Sequence, residues 1–119
     1  MTRKSTREVG KEWEAFAGVY LRQMNYQVLE YNYRCKRGEI DIVAKDGNCV
    51  VFCEVKYRSS GRFGTALEAV EGKKQKRISA AALFYITMHR LEALPCRFDV
   101  IGIEAGKIEH VKSAFEFKG

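Results

Sequence analysis

The chain has 119 residues, 21 Lys plus Arg against 15 Asp plus Glu, a formal charge of +6 and 46% hydrophobic residues. A chain this long buries roughly 65% of its unfolded surface, enough for one core and not for two, and 30% charged residues with a single Pro exclude a disordered or collagen-like chain. No apolar run approaches the ~18 residues of a membrane span, and the basic start MTRKSTREVGKEW has no apolar stretch behind it, so one cytoplasmic domain over residues 1–119 is expected, with residues 1–7 as a flexible start and no secretory leader.

Ser5-x-x-Glu8 has the form of a capping box, and Val9, Trp13, Phe16, Ala17, Tyr20, Leu21 and Met24 recur at three-and-four spacing. Together they predict an amphipathic helix ending near Asn25. Tyr26 to Arg34 reads as an extended segment. Gly38 to Ala44 (GEIDIVA) and Cys49 to Arg58 (CVVFCEVKYR) are β-branched runs on either side of Lys45-Asp46-Gly47-Asn48, where Asp-Gly signals a two-residue hairpin turn. A loop with Gly61 and Gly64, a second capping box Thr65-x-x-Glu68 and a helix towards Arg90, with Gly72 as an interruption, come next. Arg97 to Glu104 and Lys107 to Lys112, separated by Ala105-Gly106, predict a second hairpin. The order is αβββαββ, an α/β domain with a central mixed sheet flanked by helices.

Cys35, Cys49, Cys53 and Cys96 lie in strand-like stretches without C-x-x-C spacing, which argues for reduced, buried thiols rather than a zinc ribbon or a disulfide framework. His89 falls on the buried side of the second helix and His110 is isolated, so neither spacing suggests metal or nucleophilic catalysis. A charge of +6 is compatible with a polyanionic partner and does not establish one.

With Asp46-Gly47 as the central turn residues, Asp41 falls opposite Phe52 and Glu39 opposite Glu54. Period-two alternation then puts Glu39, Asp41 and Val43 on one face with Val50, Phe52, Glu54, Lys56 and Arg58, and Ile40, Ile42, Ala44, Cys49, Val51, Cys53, Val55 and Tyr57 on the other. Asp41 and Glu54 become diagonal neighbours about 7 Å apart at the backbone. Carboxylates gathered on one patch repel and call for positive charge. Lys56 supplies one, and a hard divalent cation such as magnesium, held by one or two carboxylates and several waters, supplies two more. E-x-K occurs three times, at Glu54-Lys56, Glu71-Lys73 and Glu116-Lys118. Only the first lies in a long apolar strand that a tight turn pairs with an Asp-bearing strand.

Asp41, thirteen residues, then Glu54-Val55-Lys56 resembles the PD-(D/E)xK nuclease signature, with Ile40-Asp41 in the place of Pro-Asp. GEIDIVA, VVFCEVKYRS, RFDVIGI and the Ala-Phe near the C-terminus resemble the YraN-like family of uncharacterised bacterial proteins over about Val9 to Phe117. That family is considered similar to archaeal Holliday-junction resolvases and restriction-endonuclease-like folds. The resemblance implies a restriction-endonuclease-like core and a Mg2+- or Mn2+-dependent endonuclease acting on DNA, including branched or junction DNA, in preference to RNA. Asp41 and Glu54 would be the metal ligands and Lys56 a catalytic group that orients or activates the attacking water or stabilises charge on the phosphate.

Related nucleases carry a further helical Glu near the metal. The family's G-x-x-x-E-x-x-A-x-x-x-L run matches Gly10, Glu14, Ala17 and Leu21, which makes Glu14 the candidate; the Gly that often precedes this Glu is Trp13 here. At ~100° per residue Glu14 falls about 20° beyond Leu21, at the edge of the buried arc. Glu39 supports the site electrostatically. Lys74-Gln75 resembles a Lys-Gln pair of family members, and Arg58, Arg62, Lys74, Gln75 and Arg77 are the candidate nucleic-acid contacts. A homodimer follows by analogy with related resolvases. The alternative is a nucleic-acid-binding protein of the same fold with little or no cleavage; a basic scaffold that recognises another protein is the third reading.

Overall fold

The computed structural model describes residues 6–58 and 72–119. In chain order these form α1 (Thr6–Gln23), β1 (Gln27–Cys35), β2 (Gly38–Asp46), β3 (Cys49–Arg58), α2 (Gly72–Met88), β4 (Cys96–Glu104) and β5 (Lys107–Phe115). The expected αβββαββ order is therefore present among the described residues. The capping box Thr65–Glu68 lies outside them, and the described part of the second helix begins at Gly72 and ends at Met88, short of Arg90.

The strands make one five-stranded sheet in the order β1-β2-β3-β4-β5. All neighbours are antiparallel except β3 and β4. A parallel pair cannot be closed by a hairpin and needs a crossover, and α2 lies in that connection. Asn25, at φ 68, ends α1 in the left-handed conformation that Asn tolerates. Ala105 and Gly106, at φ 49 and 77, turn β4 into β5.

The two helices cover opposite faces. Ala17 and Leu21 of α1 pack on Ile42, Ala44, Val51, Cys53, Ile101 and Ile103. Ile78, Ala81, Ala82 and Tyr85 of α2 pack on Val43, Val50, Phe52, Phe98 and Val100. Phe16 and Met24, expected on the apolar stripe of α1, are exposed instead, because the narrow line Trp13–Ala17–Leu21 with Tyr20 meets the sheet. Of the four free thiols only Cys53 is buried; Cys96 is exposed at the start of β4.

Two details of the β2–β3 hairpin differ from expectation. Asp46 pairs with Cys49 and Val43 with Phe52, so the central turn residues are Gly47-Asn48 rather than Asp46-Gly47. Gly47, at φ 60, occupies the first central position, which a type II′ turn reserves for glycine. The register consequently moves by two residues. Asp41 comes level with Glu54, one step beyond the last ladder pair Ile42–Cys53. An even shift by itself moves no side chain to the other face, so the face assignment survives from Ile42 to Ala44 and from Val50 to Cys53 although the pairing does not.

The second difference is at Ile40. Alternation placed it with Ile42, yet Ile40 packs in the α2 core and Ile42 in the α1 core. The cause lies in the neighbouring strand, where Asn32 adopts φ 53 between the pairs Tyr31–Ile42 and Tyr33–Ile40. Tyr31 likewise joins the α1 side and Tyr33 the α2 side. A left-handed residue inside a strand breaks the pleat, and Asp41 sits across from that break.

Candidate active site

The ladder between β2 and β3 stops at Ile42–Cys53. Beyond it the strands diverge, and the side chain of Asp41 replaces the lost main-chain partner: Val55 N–H donates to Asp41 Oδ2 at 2.8 Å. The fork opens into a pocket of about 230 Å3 whose walls include Glu14 of α1, Asp41 of β2, Glu54 and Lys56 of β3 and Lys74 of α2. Trp13 and Tyr57 close one side as a stacked pair with ring centroids 4.1 Å apart. The structure thus brings Glu14, Asp41, Glu54 and Lys56 to one place, from a helix and two strands, with none of them adjacent in sequence.

Lys74 Nζ lies 2.6 Å from Glu54 Oε1. Glu54 Oε2, Glu14 Oε1 and Trp13 Nε1 are buried without a hydrogen-bond partner among the described residues. Such orphaned polar atoms, two carboxylate acceptors and one indole donor, are uncommon in folded proteins and mark a place where water or an ion belongs. Among the described residues no three acidic, His or Cys side chains converge tightly enough to hold a metal by themselves. Magnesium does not ask for that, since it keeps several waters and takes one or two carboxylates. The donors here are all hard oxygens, so the set fits Mg2+ or Mn2+ better than a thiolate- or imidazole-seeking ion.

Burial, and secondarily the Asp41 charge, pushes the Glu54 carboxyl up to about 7 against the pull of Lys74. Glu14 is raised to about 7 by burial and by Asp41, against a hydrogen bond from Asn32. Asp41 is raised by burial, with the Val55 N–H, Lys74 and Lys56 opposing. Lys56 is lowered to about 8 by burial and by the neighbouring Lys74 ammonium. Burial would lower Lys74 too, yet its contact with Glu54 carries it above the ordinary value. Carboxyls raised and an amine lowered within one pocket is the signature of charge crowded into a poorly solvated place.

Of the remaining candidates, Gln75 is half-buried on α2. Arg77 is exposed and faces a different cleft from the carboxylate pocket. Glu39 is exposed at the rim and paired with Arg34 at 3.2 Å, so it does not join the buried carboxylates. Arg58 ends β3 opposite Glu104, its side chain outside the described residues; Arg62, Gly61 and Gly64 are also outside them. His89 is exposed, not buried, and its Nδ1 lies 2.9 Å from the Tyr85 carbonyl oxygen. His110, isolated in sequence, is buried against Asp99.

Sequence reasoning missed Asn32 and the pairing of Lys74 with Glu54. An Asn inside the strand-like run Tyr31-Asn32-Tyr33 was the available signal, because Asn is among the few residues that accept a left-handed conformation. Nothing local could have announced Lys74, which reaches Glu54 across 20 positions of sequence.

The model of the uncharacterised protein family UPF0102 matches residues 13–103. That span begins at Trp13 and takes in every side chain of the pocket except Gly10. The chain belongs to the UPF0102 family. A UPF0102 protein of Syntrophus aciditrophicus is 47% identical over 111 residues, covering 90% of this chain and 87% of the relative. One from Thermodesulfovibrio yellowstonii is 49% identical over 108 residues, 91% and 96% of the two chains. One from Pseudomonas savastanoi is 43% identical over 122 residues, 98% and 99% of the two chains. The YraN-like kinship expected from GEIDIVA and VVFCEVKYRS is thus present along nearly the whole chain.

The titrations of this UPF0102 pocket predict an unusual stability profile without divalent ions. Glu14 and Glu54 have folded values near 7 against ordinary values of 4.5, so between about pH 4.5 and 7 the folded state holds more protons than the unfolded state. Stability then falls as pH rises through that window. Lys56, lowered from 10.5 to about 8, works in the opposite sense, because above pH 8 the unfolded chain holds the extra proton. The melting temperature in EDTA should therefore pass through a minimum near pH 7 to 8, on the order of 5 °C below its value at pH 5. Glu54→Gln should flatten the acid limb; a wild-type curve that rises steadily from pH 5 to 7 would contradict the account.

Proposed function

We propose that this protein is a metal-dependent endonuclease that hydrolyses phosphodiester bonds in DNA, branched or junction DNA among its substrates, on a restriction-endonuclease-like core. The observation that carries the reading is the fork between β2 and β3, where Asp41, Glu54 and Glu14 meet Lys56 in a single pocket. Asp41 and Glu54 would hold Mg2+ or Mn2+, with Glu14 as a third or water-mediated ligand. When bound, such an ion supplies Lewis-acid stabilisation of the phosphate and a water of lowered pKa.

The protein's own groups have separate tasks. Asp41 keeps its geometry because Val55 N–H holds one oxygen. Glu54 offers Oε2, which has no partner among the described residues. Lys56, with a value near 8, is suited to exchange a proton with the attacking water near neutral pH or to meet charge developing on the phosphate. The Trp13–Tyr57 stack gives the pocket one aromatic wall. Binding by lysines and arginines to backbone phosphates supports weak sequence preference and strong salt dependence. A cytoplasmic location and a homodimer belong to the same reading. Among the described residues no helix is long and apolar enough to cross a membrane.

A cleavage screen on branched, duplex and single-stranded DNA with magnesium and with manganese tests the proposal, run beside Asp41→Asn to expose any co-purifying nuclease. Divalent-dependent cleavage by wild type alone is the expected outcome; equal cleavage by both proteins sinks it. One observation favours a second reading, a DNA-binding protein with little cleavage: the Lys74 ammonium already neutralises Glu54. Salt-sensitive DNA binding without cleavage under either metal would select that alternative.

A further inference from the structure

A second, larger cleft of about 580 Å3 lies between the turn joining β1 to β2 and the first half of α2. Arg34, Lys36, Lys73, Lys74 and Arg77 line it, with Glu39 as its one carboxylate among the described residues. Among the described residues the ion pairs made by these side chains are Arg34–Glu39 and Lys74–Glu54, which leaves Lys36, Lys73 and Arg77 without a carboxylate. Lys73 and Arg77 are one helical turn apart, a spacing at which like charges repel. A cleft whose cations have no carboxylate partner among the described residues gains stability when an anion enters it.

The walls of this cleft are held against each other. A Cβ on Gly38 would come within 3.0 Å of the Arg77 carbonyl oxygen, so glycine allows the start of β2 to sit on the backbone of α2. The backbones that carry the cations of the turn and of the helix are therefore held at a fixed separation, and only their exposed side chains have to be ordered when a ligand arrives. The cleft also adjoins the carboxylate pocket, since Lys74 and Glu39 line both.

We propose that this cleft is a second phosphate subsite, taking a backbone phosphodiester next to the one at the carboxylates, and that Lys74 couples the two. This rests on reading the carboxylate pocket as the metal site. In the free protein Lys74 serves as counter-ion to Glu54. A phosphate in the cleft draws the ammonium towards itself and frees Glu54 for a divalent cation. By linkage the cation then tightens phosphate binding by the same factor. Lys74 is thus a positioning residue, and metal and nucleic acid bind with positive cooperativity.

Two measurements test this. In EDTA, a fluorescent 12-residue oligothymidylate is titrated into wild type, into Lys36→Ala/Lys73→Ala/Arg77→Ala, and into a control stripped of three exposed charges on and beyond β5, Lys107→Ala/Lys112→Ala/Lys118→Ala. The cleft variant should bind at least tenfold more weakly, with a log–log salt slope shallower by about 2, and the control should stay near wild type. Equal loss in both triple variants, or none in the cleft variant, overturns the subsite; this arm contains no metal and stands or falls apart from the metal reading.

In the second arm, Mn2+ binding is followed by its electron paramagnetic resonance signal in sulfate and in chloride at equal ionic strength. Sulfate should tighten Mn2+ binding to wild type several-fold. Lys74→Met should bind Mn2+ more tightly than wild type in chloride and gain nothing from sulfate. If wild type binds Mn2+ equally in both salts, Lys74 does not couple the sites. If neither protein binds Mn2+ at millimolar concentration, the carboxylate pocket is no metal site and the coupling falls with it, while the phosphate subsite is judged by the first arm.

Discussion

With the carboxylate pocket holding a divalent cation as proposed, Asp41→Asn should remove most of the response to such cations while leaving the protein folded. The Asn oxygen can still accept from Val55 N–H, which lies 2.8 Å from Asp41 Oδ2, so the fork between β2 and β3 keeps its anchor. What disappears is the negative charge that, after burial, does most to raise Glu54. The metal-free variant should therefore melt at or above the wild-type temperature. Saturating wild type to ten times Kd with Mg2+ or Mn2+ stabilises it by about 1.4 kcal/mol, which corresponds to roughly 5 °C for a chain this size. The variant should show under a quarter of that shift, and Glu116→Gln, a change in an exposed E-x-K beyond β5, should show all of it. The proposed metal-supported cleavage should drop by at least about a hundredfold, the loss that follows removal of one group stabilising the transition state. An unchanged melting shift in Asp41→Asn would return the hairpin to an ordinary charged surface.

The largest loss of stability should come from a residue with no part in that site. Asp99 is fully buried and receives Arg97 Nε at 3.0 Å, His110 Nε2 at 2.7 Å and the Ser113 N–H at 3.0 Å. The network runs on from there. Arg97 reaches Tyr26 Oη at 2.6 Å and Asp46 at 3.2 Å, and His110 Nδ1 meets Tyr20 Oη at 3.0 Å. Through Tyr20 it ties α1 to the β4–β5 edge of the sheet. Ser113, at φ 51, is a break in β5, and the Asp99 carboxylate takes the N–H that the break releases.

Burial alone would raise the Asp99 carboxyl; His110, the Ser113 N–H and Arg97 overcome it and hold the group below the ordinary 3.8. With the folded value depressed, its contribution is present above about pH 4 and is lost as pH falls through the folded value. Asp99→Ala leaves Arg97 and His110 facing an empty space and should cost about 3–5 kcal/mol, or roughly 15 °C in melting temperature. Asp46→Ala removes only a partly exposed partner of Arg97 and should cost under about 1 kcal/mol. If the two substitutions cost the same, the network is not what joins α1 to β5.

Much of this molecule is determined by residue pattern alone. The three-and-four spacing of Trp13, Ala17, Tyr20 and Leu21 makes a helix that can bury a single line. The alternation through CVVFCEVKYR and the Ile42–Ala44 end of GEIDIVA decides which side chains share a face, and that outcome tolerates an even slip in pairing. Hence Asp41, Glu54 and Lys56 could be grouped although the assumed register was two residues from the observed one. The separation of Asp41 from Glu54-x-Lys56 by an intervening tight turn likewise distinguished this E-x-K from the two others in the chain.

The local turn and then the tertiary structure decided the rest, the latter wherever a feature depends on a partner remote in sequence. The hairpin turned at Gly47-Asn48, since the first central position of that turn suits the one glycine available, and this brought Asp41 level with Glu54. Asn32 in β1 broke the pleat opposite Asp41 and sent Ile40 to the α2 core, an effect of the neighbouring strand that no alternation within β2 contains. Lys74 became the counter-ion of Glu54, and His110 the partner of Asp99, only when helix and strands packed. A buried charge must find its opposite wherever the fold places one, and local sequence carries no record of which distant residue that will be.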